Sequence, residues 1–285
     1  MRNYLLLFSL TFCLLACNSE TPSSEQSKEN EVEENTETTE PTKATLGKEV
    51  SYQTDTTIMK GYIASDPSKS GKRPGILVVH EWWGHNDYAR KRAEMLAELG
   101  YVALAVDMYG DGKKAEHPDD AGKFAKMVMS NMDVAKARFS QAMETLRQHP
   151  DTDPEKIAAI GYCFGGGLVL NMAMQGVDVD GVVSFHGSLP TPAELDGAQV
   201  KAKMLVCHGA ADQFIQASTI DQFKKLMADA KVDMQFESYE GAVHSFTNPD
   251  ADENGQKFGL PLAYDQKADE ASWQEMQQFF GKIFQ

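Results

Sequence analysis

Gly161-Tyr162-Cys163-Phe164-Gly165-Gly166-Gly167 decides how this chain is read. The run before it, Lys156-Ile157-Ala158-Ala159-Ile160, is short, apolar and partly β-branched, the pattern of a buried strand. The run after it, Leu168 to Met174, reads as a helix. Cys163 therefore falls on the turn between strand and helix, with Gly161 and Gly165 where side chains would crowd a tight turn. The pattern is the G-x-S-x-G nucleophile elbow with cysteine in place of serine. A helix N-terminus behind the sulfur favours the thiolate, which is the nucleophilic form. Taken alone, the heptapeptide also fits a glycine-rich helix start around a small buried cysteine. Partners elsewhere in the chain must decide.

Strand and helix patterns alternate on both sides of the elbow. Glu49–Gln53 and Ile58–Ile63 flank a polar turn and read as a hairpin. Ile76–His80 and Val102–Val106 are unbroken apolar runs, separated by an amphipathic stretch from Asn86 to Leu99 that Gly100 closes. Asp119–Asn131 and Asp133–Gln148 read as helices before the elbow. Gly181–Phe185, Met204–Cys207 and Asp233–Tyr239 read as strands after it, with helices over Ser218–Ala230 and Gln266–Phe284. Such alternation predicts an α/β fold, a mostly parallel sheet covered by helices on both faces.

In a parallel sheet, chemistry collects in the loops at the carboxyl ends of the strands. Four such loops carry reactive residues: His80-Glu81-Trp82-Trp83-Gly84, Cys163, His208-Gly209-Ala210-Ala211-Asp212, and Gly241-Ala242-Val243-His244-Ser245-Phe246. The order Cys163, Asp212, His244 is nucleophile, acid, base, the order of α/β-hydrolase triads. The cysteine would supply the attacking sulfur, His244 would hold its proton, and Asp212 would fix the imidazole tautomer. Glu81 directly follows a buried strand, where a carboxylate needs a partner or a task. His80, His186 and His208 read as hydrogen-bonded packing residues, Trp82 as a pocket wall, and Cys207 as inert core.

These motifs, together with Asp107-Met108-Tyr109, resemble the dienelactone hydrolase family of α/β-hydrolases from about Leu46 to the C-terminus. The resemblance implies a triad of Cys163, Asp212 and His244, and a Glu81 that contacts the resting thiol and helps activate it. It also implies an oxyanion hole made by the backbone N–H groups of Trp82 and Phe164. The expected activity is cleavage of esters or lactones through a cysteine acyl-enzyme, with no cofactor and no metal. One departure stands out. Family members that act on dienelactone hold its carboxylate with two arginines, and those positions are Asp111 and Asn248 here. A preference for neutral or cationic esters is expected, with Asp111 repelling anions and Lys113 and Lys114 compensating in part.

The ends of the chain set its context. Tyr4 to Ala16 is an apolar run after Arg2, too short to span a bilayer comfortably, and Leu14-Leu15-Ala16-Cys17 resembles the lipobox of bacterial lipoproteins. Residues 1–17 are therefore expected to be a lipoprotein signal peptide, with Cys17 lipidated and the protein anchored in a bacterial cell envelope. Residues 18–45 read as an acidic, disordered tether, with eight glutamates against Lys28 and Lys43. Residues 46–285 form the catalytic domain. The formal net charge of −15 argues against nucleic acid as a partner, so the expected partners are a small-molecule ester or lactone and, through lipid alone, a membrane. Four cysteines without metal-ligand spacing indicate neither zinc nor a disulfide framework. Two other readings share these residues: acyl transfer to an alcohol or thiol on the same triad, and a non-catalytic binding lipoprotein that keeps the fold.

Overall fold

The computed structural model describes residues 46–54 and 56–285. The signal-like segment, Cys17 and the whole of the tether lie outside the described residues. In chain order the elements are β1 (Gly47–Thr54), β2 (Thr57–Ser65), β3 (Arg73–Val79), α1 (Asp87–Leu99), β4 (Val102–Val106), α2 (Pro118–Met129) and α3 (Met132–Arg147). Then come β5 (Thr152–Tyr162), α4 (Phe164–Met174), β6 (Gly181–Phe185), β7 (Lys203–Gly209), α5 (Ala217–Asp229), β8 (Met234–Tyr239), α6 (Ala251–Phe258) and α7 (Gln266–Ile283).

The strands form one sheet in the order β1-β2-β4-β3-β5-β6-β7-β8. The hairpin β1–β2 and the pair β2–β4 are antiparallel, and every pair from β4 to β8 is parallel. Apolar residues cover both faces of the central strands because helices pack on both sides. Leu77, Val79, Leu104 and Ala159 join α3, α4 and α5 on one face, while Ile76, Val78, Ala158 and Ile160 join α1 and α7 on the other. This alternation is why the paired runs Gly75–Val79 of β3 and Ile157–Gly161 of β5 carry no polar side chain.

Local signals set the helix ends. The Asn86 side chain accepts from the Ala89 N–H at the start of α1, and Gly100 closes it in the left-handed conformation, which glycine adopts without strain. Asn131 and Asp265 cap α3 and α7 in the same way. The sequence pattern does not announce α6. It has eight residues, and only Ala251 and Gly255 are buried, too few for a readable apolar stripe. β5 also begins at Thr152 rather than Lys156, because pairing with β3 resumes across an irregularity at Pro74 and Gly75.

Since β3 to β8 run parallel, their carboxyl ends share one edge of the sheet. Glu81 follows β3, Cys163 follows β5, Asp212 follows β7 and His244 follows β8.

Candidate active site

Cys163 sits between β5 and α4 with φ 53° and ψ −112°, a conformation that a non-glycine residue takes only when its surroundings enforce it. The enforcement is visible on both sides. A Cβ on Gly161 would lie 2.1 Å from the Gly165 carbonyl oxygen, and one on Gly165 would lie 2.3 Å from that of Val79. Backbone therefore passes where side chains would be, and the sulfur is pushed out at the top of the sheet. Phe164 is the first residue of α4, so its N–H is one of the first-turn donors that a helix leaves free.

The structure brings Cys163, His244 and Asp212 into one line. The Cys163 Sγ lies 3.1 Å from His244 Nε2, and His244 Nδ1 lies 2.8 Å from Asp212 Oδ2. The other Asp212 oxygen accepts the Phe214 N–H at 2.8 Å, which fixes the carboxylate plane. Burial pulls the His244 pKa down, but the charge of the Cys163 sulfur, hydrogen bonds to Asp212 and Cys163, and the Asp212 carboxylate together raise it to about 10. The sulfur beside it and the Asp212 carboxylate thus favour the protonated form of His244. Two of the raising contributions belong to the sulfur; without its charge, burial works against the proton and favours the neutral imidazole. Turnover that draws on the protonated His244 should therefore hold through neutral pH and fall as pH rises through about 10. A pH profile of kcat/KM checks this, and a profile already falling at neutral pH would contradict it.

Glu81 is buried, and its carboxylate does not turn to the thiol as the family resemblance implies. Ser245 Oγ donates to Oε1 at 3.0 Å and Asn248 Nδ2 to Oε2 at 2.6 Å, while the sulfur's hydrogen-bond partner is His244. Burial pushes the Glu81 pKa up, against these two donors, which favour the carboxylate. Ser245 holds φ 59°, so the loop after His244 is strained to present this clamp.

Beside the triad lies a cavity of about 320 Å³ lined by Trp82, Ala125, Met129, Cys163, Phe164, Ser188, Phe214, Ile215, His244 and Leu262. Apart from the triad members, the polar groups among the lining side chains are the Ser188 hydroxyl and the Trp82 indole N–H. Two expectations about charge are corrected here. Asp111 does not line the cavity; it is exposed and paired with Lys113 at 2.9 Å, so neither repels nor compensates at the pocket. Lys114 lines a separate groove with Lys60 and Arg90. Asn248 does not stand vacant where an arginine was, because it is spent on Glu81.

The Asp107-Met108-Tyr109 motif has a structural task. The Asp107 carboxylate collects the N–H groups of Lys60, Tyr109, Gly110 and Gly112 at 2.8–3.1 Å. Tyr109 in turn donates its hydroxyl to the Trp82 carbonyl at 2.9 Å, which ties down the loop carrying Glu81 and Trp82. Trp82 lines the cavity, whereas Trp83 packs against Phe258 outside it. Cys207 is fully buried, and burial raises its thiol pKa to about 12. Sequence reasoning missed Thr247, which bonds His186, and gave other roles to Asn248, read as a lost clamp position, and His186, read as a packing residue. Their polar types gave a signal, but nothing in the pattern showed which way they turn.

A mostly parallel sheet with Cys163 after β5, Asp212 after β7 and His244 after β8 is the arrangement of an α/β-hydrolase. Comparison with known proteins narrows the class. The model of the dienelactone hydrolase family matches residues 59–284, and the chain belongs to that family. Protein usf of Aquifex pyrophilus is 32% identical over 208 residues, covering 71% of this chain and 88% of the relative. A putative carboxymethylenebutenolidase of Aquifex aeolicus is 30% identical with the same coverage. Among solved structures, a dienelactone hydrolase-like promiscuous phosphotriesterase from metagenomic libraries is 36% identical, with a TM-score of 0.77, over 83% of this chain and 98% of that one. The protein is a carboxylic ester hydrolase of the dienelactone hydrolase type.

Proposed function

We propose that the chain hydrolyses neutral carboxylic esters or lactones through a thioester on Cys163. The observation that carries this is the line Cys163–His244–Asp212, with contacts of 3.1 and 2.8 Å, at the wall of an apolar cavity. The thiolate attacks the carbonyl carbon. The oxyanion takes hydrogen bonds from the N–H groups of Phe164 and Trp82, worth on the order of 3 kcal/mol each in such sites. The imidazolium passes its proton to the departing alkoxide, which leaves as the alcohol. Water then gives a proton to the neutral His244 and attacks the thioester, and the thiolate departs as the acid is released. Glu81 acts from behind, holding the His244 loop through Ser245 and Asn248.

The lining sets the substrate class. No charged side chain other than the triad faces the cavity, so a substrate carboxylate would be desolvated without a partner. Neutral esters should be preferred over carboxylated lactones such as dienelactone by about tenfold or more in kcat/KM. A neutral phosphotriester belongs in the same panel, given the description of the 36%-identical neighbour. A clear preference for the carboxylated lactone would overturn this reading of the pocket.

We propose further that the chain is tethered to a bacterial cell envelope by lipid on Cys17, supported by Leu14-Leu15-Ala16-Cys17 after a short apolar run. Cys17→Ala should abolish incorporation of labelled fatty acid in cells. Undiminished labelling in that variant would refute the anchor.

A further inference from the structure

Behind the nucleophile runs a second buried line of polar groups that the triad does not use. It starts at the Cys163 N–H, which is shared between the Phe185 carbonyl at 3.0 Å and His186 Nδ1 at 3.2 Å. The opposite ring nitrogen, His186 Nε2, lies 2.7 Å from Thr247 Oγ1. Thr247 Oγ1 meets the Tyr88 hydroxyl at 2.6 Å, and the Thr247 carbonyl accepts from Arg92 Nη2 at 2.5 Å. Arg92 ends the line in an ion pair with Asp269 on α7 at 2.6 Å. His186 and Thr247 are fully buried, and Arg92 nearly so.

The geometry fixes the tautomer of His186. A backbone N–H points at Nδ1, so that nitrogen carries the lone pair. The ring proton is then on Nε2 and is donated to Thr247. A protonated His186 would set N–H against N–H at Cys163. It would also place a second cation beside His244, whose ring lies 5.4 Å away. Burial, the His244 charge and the Arg92 charge all act against that proton, in that order. His186 itself holds φ 40°, a conformation that costs energy in a side-chain-bearing residue unless local bonds repay it.

We propose that His186 is a positioning residue for the nucleophile: as neutral imidazole it ties the Cys163 backbone to Thr247, and so couples the elbow to the loop that carries His244. The elbow and the histidine loop come from β5 and β8, which are not neighbours in the sheet. The hydrogen bond that joins them directly runs from Cys163 Sγ to His244 Nε2, and in the proposed reaction it breaks in every turnover when the sulfur is acylated. The His186–Thr247 link does not involve the sulfur and holds the two loops in register through that step.

The inference rests on the cysteine nucleophile proposed above, and the test separates the two. Full-length wild type, H186F, H186N, T247V, H186F/T247V and C163A are compared for kcat, KM and melting temperature with one neutral ester. Phenylalanine keeps the ring packing and removes both nitrogens. Asparagine keeps an acceptor near the Nδ1 position and tolerates positive φ. H186F should lower kcat about ten- to a hundredfold with KM within about threefold of wild type. H186N should recover most of that loss. T247V should lower kcat by itself, yet add no more than about twofold to H186F, because both break one link. Wild-type kcat in H186F, additive losses in the double variant, or H186N no better than H186F would each overturn the proposal. If H186F does not fold, wild-type kcat in T247V overturns it. Activity surviving in C163A would instead overturn the nucleophile.

Discussion

Cys163→Ala is expected to lower ester turnover by at least about a thousandfold, the scale on which triad nucleophiles act. In the proposed reaction the sulfur is the attacking atom, and none of the positioned groups around it can replace it: Ser188 belongs to the cavity wall, Cys207 is sealed in the core, and Ser245 is held on Glu81. Stability should change little, within about 1 kcal/mol, because Cys163 is only half-buried at the edge of the core. Steady-state kinetics beside a thermal melt read both. Retained turnover in a folded variant would mean that another group attacks.

Most of the fold was legible because it rests on local signals. The apolar runs of β4 and β6 and the caps of α1 declare themselves, and their bounds follow from sequence alone. The elbow was legible for a different reason: only glycine fits where the backbones of β3 and α4 close on it. What the sequence could not show was direction. Glu81 stood in the right loop, but its oxygens turn to Ser245 and Asn248, and that depends on the strained loop after His244. Asp111 was placed near the pocket by the family resemblance, yet the turn at Gly110 and Gly112, both at positive φ, carries it out to solvent. His186 looked like a packing residue because burial and hydrogen bonding are the same pattern in a sequence, whether the partner is a distant carbonyl or the nucleophile's own amide.

Gly165→Ala is expected to have a large effect on stability. The added methyl would meet the Val79 carbonyl oxygen at 2.3 Å and that of His80 at 2.7 Å. Both are backbone atoms at the end of a central strand, so no side chain can swing away. Either α4 is driven off β3 or the turn at Cys163 is deformed, and the Phe164 N–H moves with it. Overpacking of this kind costs about 3 kcal/mol or more, which for a domain of this size corresponds to a drop of roughly 6–12 °C in melting temperature. Activity should fall further than the loss of folded protein explains. A melting temperature matching wild type would show that the elbow is looser than these contacts require.

The central claim, a thioester on Cys163, is tested most directly by trapping it. Full-length protein is mixed with a neutral aryl ester, quenched in acid within the turnover, and its intact and peptide masses are measured. The mass should rise by one acyl group, carried by the peptide that contains Cys163 and absent from Cys163→Ala. An acyl group on any other residue, or one that persists in Cys163→Ala, would contradict it.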